Sequence, residues 1–173
     1  MNDLSKKAHL IASLMAIVLS CVCLYKVTGL TAPSVNVERA IVQQILTRLD
    51  ERERLIADLN SAGLSEKEKG IVEIYLSKIR KDGVASHLEE KRKIDALDRN
   101  TMALNALIDA YLPSARTDGF REDAQTFRAY ASTWASRWNS VFEYFMVGGD
   151  YPPYHGAFPS KILGSVKTEL ALI

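Results

Sequence analysis

Apolar residues recur along this chain in steps of three, four and seven, the spacing of one face of an α-helix. From Val35 to about Asn60 the stripe is Val42, Ile45, Leu49, Ile56 and Leu59. The stretch RLDERERL, residues 48–55, lies among them and reads as a charged, solvated face. Pro33 stops whatever precedes this helix and Ser34 caps it, while Asn60-Ser61-Ala62-Gly63 ends it. Ser65 with Glu68 forms a capping box for a second helix, whose face is Ile71, Val72, Tyr75, Leu76 and Ile79. Gly70 inside that helix is expected to weaken it by about 1 kcal/mol relative to Ala. Asp82-Gly83 is the next break.

A third helix is expected from about Ala85 to Leu112, with Ile94, Leu97, Thr101, Leu104, Ile108 and Tyr111 in coiled-coil-like spacing. Its charged start, HLEEKRK, is expected to project beyond the core, and Pro113 ends it. A fourth runs from about Asp118 to Val147 with Phe127, Ala131, Trp134, Trp138, Val141 and Phe145 inward, closed by Gly148-Gly149. Ser160 then caps a short helix bearing Ile162, Leu163, Val166 and Leu170. No strand-period alternation of useful length occurs. The fold class is therefore all-α. An N-terminal transmembrane helix precedes an antiparallel up-down bundle of about four helices, and a short C-terminal helix folds back over one end. The organisation follows: residues 1–7 N-terminal, 8–30 a membrane anchor, 31–34 a linker, 35–147 the bundle, 148–159 a Pro/Tyr-rich loop and 160–173 the last helix.

The anchor rests on one stretch. Ala8 to Tyr25 contains no Asp, Glu, Lys or Arg. As a helix it spans roughly 27 Å against a bilayer core of roughly 30 Å. Lys26 can snorkel so that Val27 to Leu30 lengthen the span, and Tyr25 suits the interface. Other readings compete, a buried core helix among them. Ile17-Val18-Leu19-Ser20-Cys21 resembles a loose bacterial lipobox, which implies lipidation at Cys21, although the residues after it stay apolar. A cleaved signal peptide needs a small-x-small site, for which Thr28-Gly29 and Thr31-Ala32 are undistinguished. Lys6 and Lys7 before the span favour a cytoplasmic N-terminus in a bacterial inner membrane, with the bundle periplasmic.

Charge and composition narrow the function. Lys6, Lys7, Lys26 and Asp3 precede residue 27, which leaves 19 of the 22 basic and 20 of the 21 acidic residues in the remainder. That balance lacks the basic excess of a nucleic-acid binder. Both cysteines, Cys21 and Cys23, lie in the apolar stretch, so the bundle holds no disulfide and no Cys-based zinc site. His87 and Glu90 lie one turn apart but read as a surface pair. No Glu-x-x-His pair, Gly-x-Ser-x-Gly elbow or Gly-rich phosphate loop is present, so no cofactor or metal and no enzymatic activity is expected. The aromatic stripe of the fourth helix reads as core, with Tyr151, Tyr154 and Phe158 plugging the bundle end. Asp150, Tyr151, Tyr154 and His155 are the candidates for a partner-binding or small polar site. Pro152 and Pro153 stiffen that loop and so reduce the entropy lost on docking.

Together these point to a membrane-anchored interaction or accessory protein. Its expected partners are the bilayer and a membrane or envelope protein, or a second copy of itself in a homo-oligomer. A ligand-sensing bundle is one alternative; it resembles bacterial chemoreceptor and kinase sensory domains in gross form. With no second span expected after the bundle, it would signal through a partner. A phage or plasmid exclusion or immunity protein is another, on size and topology alone.

Overall fold

The computed structural model describes residues 35–64, 70–148, 158 and 160–173. Five α-helices make up this part: α1 Val35–Ser61, α2 Ile71–Asp82, α3 Leu88–Tyr111, α4 Asp118–Val147 and α5 Lys161–Leu172. Short 3-10 turns at Val84–His87 and Leu112–Ser114 flank α3, and no strand occurs among the described residues. The all-helical bundle inferred from the stripes is the architecture found. Pro33, Ser34, Ser65 and Glu68 lie outside the described residues, as does the 8–30 segment. No helix among the described residues is long and apolar enough to cross a membrane.

Helix ends follow local chemistry. The α1 chain turns off through Gly63, whose φ of 73° needs no Cβ, and the Leu64 amide donates back to the Leu59 carbonyl at 2.9 Å. Gly148, at φ 76° and ψ 12°, closes α4 and donates to the Tyr144 carbonyl. Thr117 caps the start of α4, its hydroxyl accepting from the Phe120 amide at 3.2 Å. Two expectations are corrected. Gly70 stands before α2 in an extended conformation, φ −58° and ψ 144°, so it does not weaken that helix. Ser160 makes no side-chain cap, because its backbone is already helical.

The chain direction departs from simple alternation. Asn100 donates to the Arg48 carbonyl, and Arg116 pairs with Glu38 at 2.6 Å, so α1 and α3 are antiparallel. Trp138 Nε1 donates to Asp95 at 3.0 Å and Arg128 pairs with Asp109, so α3 and α4 are antiparallel too. Glu73, however, pairs with Arg137, and Arg80 donates to the Tyr144 carbonyl. Those numbers rise together: α2 runs in the same sense as α4, and therefore as α1. The up-down expectation assumed a short turn after α1. Residues 62–70 can reach about 30 Å when extended, while α2 is only about 18 Å long. That reach permits two consecutive helices of one sense. The α5 helix is antiparallel to α4, with Ser165 bonded to Asp123 and Glu169 to Thr117. It lies along the flank of α1 and α4 rather than over the tip.

One core joins all five helices. Val42, Ile45, Leu59, Ile79, Ile94, Leu97, Leu104, Ile108, Phe127, Val141, Ile162 and Val166 are fully buried. Each such side chain contributes about 1.5–3 kcal/mol relative to exposure. Edge-on aromatic pairs tie the ends, Tyr111 with Phe120 and Tyr75 with Trp138. The charged start of α3 does not project. Lys91 bonds Asp95 at 2.7 Å and lies over the rings of Trp138 and Phe142, and Glu90 faces Lys78. Long charged side chains here cover apolar surface with their stems.

Candidate functional site

Midway along the bundle the apolar core gives way to a polar layer. Arg52 of α1 is 1% exposed. Its Nη1 donates to Thr101 Oγ1 of α3 at 2.7 Å, and its Nη2 donates to the hydroxyl of Tyr130 on α4. Thr101 in turn donates to the Leu97 carbonyl one turn back, at 2.8 Å. The guanidinium lies over two aromatic rings, 5.2 Å from the centroid of Tyr130 and 4.3 Å from that of Phe158. Phe158 meets Phe127 and Tyr130 edge-on at 5.7 and 5.5 Å. No carboxylate pairs with Arg52 among the described residues, and its Nε is buried without a hydrogen-bond partner. A buried guanidinium held by two neutral hydroxyls and two rings, with Nε left over, is an unusual arrangement, since buried charges are ordinarily paired.

The sequence concealed this residue. RLDERERL reads as a solvated face, and for Arg52 that reading is wrong. Positions 42, 45, 49, 52, 56 and 59 form an unbroken three-four stripe, and Arg52 fills the gap that appears as a step of seven. Thr101 likewise occupies a stripe position of α3, and Tyr130 flanks the stripe of α4. Polar residues at core positions on three helices were the available signal.

The loop candidates fare differently. Asp150, Tyr151, Tyr154 and His155 lie outside the described residues, and so does Cys21. Phe158, expected at the bundle end, instead packs on the middle of α4 beside Arg52. Trp134 and Trp138 are buried as expected, and Phe145 packs partly against the core. Next to the loop, Met146 and Val147 are about four-fifths exposed at the end of α4, at 80% and 79%.

Two other polar clusters serve the frame. His87 is not a free surface residue: it bonds Glu90 at 3.1 Å and Asp82 at 3.2 Å, linking α2 to α3. Those two carboxylates raise the His87 pKa above its ordinary value, and His87 in turn lowers that of Glu90. At the opposite end Glu169 is fully buried. Its carboxylate accepts from Tyr111 Oη at 2.6 Å, the Arg116 amide at 2.9 Å, the Thr117 amide at 2.7 Å and Thr117 Oγ1 at 2.5 Å. Burial alone would raise its pKa, but these donors outweigh it and hold the carboxyl below its ordinary range. Between α3 and α4, burial pushes the Asp98 carboxyl above its ordinary range. Among the described residues no group of three His, Cys, Asp or Glu could hold a metal ion.

No protein-family model, curated protein or solved structure matches this chain.

Proposed function

We propose that this chain is a single-span, membrane-anchored interaction protein that presents its bundle to a membrane or envelope partner and performs no catalysis itself. The observation that carries the reading is the uncharged apolar run from Ala8 to Tyr25, placed just ahead of a bundle with its own core. Lys6 and Lys7 orient the N-terminus to the cytoplasm of a bacterial inner membrane, which puts the bundle in the periplasm. Met146 and Val147 support a docking role, because exposed apolar side chains at the end of α4 offer a partner contact area.

Intact mass and mild-detergent crosslinking of the protein from its own membrane test this reading together. The expected mass begins at Met1, near 19.3 kDa, and the expected crosslink joins the bundle to one defined membrane or envelope protein. A mass that begins at a lipidated Cys21 replaces the spanning helix with a lipid anchor. A mass that begins near Ala32, with only monomer recovered, sinks the proposal.

A further inference from the structure

The geometry points to Arg52 as the receptor for a small organic carboxylate with an apolar body, held in the aromatic-walled centre of the bundle where Phe158 now packs. Three observations carry this inference. The first is charge. A guanidinium stays protonated in proteins, and here it is removed from water with no carboxylate beside it among the described residues. The second is unused donor capacity. A guanidinium has five N–H groups in a planar fork, and the structure gives Arg52 two hydrogen bonds, to Thr101 and Tyr130, while Nε has none. A carboxylate matches that fork with two parallel hydrogen bonds. The third is the nature of the cover. Thr101 and Tyr130 stand on long helices, whereas Phe158 comes from outside any helix. Its ring lies 4.3 Å from the guanidinium and edge-on to Phe127 and Tyr130.

These features define the ligand class. One isolated guanidinium suits a monoanion; a phosphate would ask for a second cation or a cluster of amides. The rings of Phe127, Tyr130 and Phe158 suit an aromatic or aliphatic body. Exchange of the Phe158 ring for such a body keeps apolar burial about constant and supplies the counter-charge that Arg52 lacks. The inference is independent of how the chain meets the membrane.

Benzoate is the first probe, with neutral benzamide as its isostere. Thermal unfolding of the full chain in mild detergent is followed by tryptophan emission, and binding by calorimetry. Benzoate is expected to raise the midpoint of the wild type, and benzamide to leave it unchanged. Phe158→Ala should bind benzoate about tenfold more tightly than wild type, because the ring no longer competes for the guanidinium. Arg52→Met should abolish the benzoate shift. If that variant fails to fold, Phe158→Ala still decides the matter through the benzoate–benzamide difference. Equal shifts by benzoate and benzamide would show apolar cavity filling and overturn the proposal. So would the absence of any benzoate effect in both wild type and Phe158→Ala, or a shift that survives in a folded Arg52→Met.

Discussion

Replacing Glu169 by Gln changes one atom of a fully buried side chain, and its cost can be worked from geometry. All four partners of the carboxylate are donors, two on each oxygen. The Arg116 and Thr117 amides cannot turn away, because they belong to the backbone leading into α4. A glutamine offers one acceptor oxygen, so whichever way the amide is set, its NH2 faces one of these backbone N–H groups. One buried donor left unsatisfied costs about 1–3 kcal/mol, and the remaining bonds lose their charge assistance. We expect Glu169→Gln to cost about 2–4 kcal/mol, a large share of the 5–15 kcal/mol typical of a domain. Tyr111→Phe, which removes a single donor, should cost about 1–2 kcal/mol. The assay is urea unfolding read by tryptophan emission. The chain has only two tryptophans, and both are buried in α4, so the signal reports the bundle. Acid provides a second reading. The folded carboxyl titrates below its unfolded value, so its contribution is complete above pH 4.5 and is lost as pH falls through the depressed folded value. The acid limb of stability should therefore flatten in Glu169→Gln. A cost under about 1 kcal/mol with an unchanged acid limb would refute the reasoning.

The junction of α2 with α3 should respond to pH in the opposite direction. His87 titrates above its ordinary 6.5, so its contribution is complete below that value and fades as pH rises through the raised one. The stability difference between wild type and His87→Asn should shrink as pH rises above about 6.5; a constant difference would show that the Asp82 and Glu90 contacts do not depend on the imidazolium. In the core, Ile108→Ala should cost about 2–5 kcal/mol in urea unfolding, since Ile108 is fully enclosed. Met102→Ala on the neighbouring, more exposed surface of α3 should stay within about 0.5 kcal/mol, and similar costs for the two would contradict the assigned helix face.

Much of the frame was legible because apolar spacing and helix punctuation agree. Asp118 to Val147 is bounded by a threonine cap and a left-handed glycine, and its limits could be read from residues alone. Chain direction could not. The side chains that set the sense of α2, Glu73 with Arg137 and Arg80 with the Tyr144 carbonyl, are joined across more than sixty positions, and no local signal encodes such a pairing. The candidate site was hidden for a different reason. Apolar spacing marks the core stripe, and Arg52 is a charge at a core position, indistinguishable in sequence from its charged neighbours in RLDERERL.

That position has a structural consequence apart from any ligand. Arg52, Thr101 and Tyr130 join the three longest helices at one level of the bundle. The surrounding apolar stripes are nearly periodic, so a slide of α1 by one turn, about 5.4 Å, would still match leucine and isoleucine against similar neighbours. It would also carry the guanidinium away from both hydroxyls and into apolar surroundings, where an unpaired charge is strongly disfavoured. Together with the Asn100–Arg48 and Arg116–Glu38 contacts, the polar layer therefore favours the observed register over such a slide, as a buried polar residue does in a coiled coil. The same enclosure leaves the Arg52 charge without a carboxylate among the described residues. A residue that fixes register and a residue that recognises an anion require the same thing of the fold, a cation held rigidly where water is excluded.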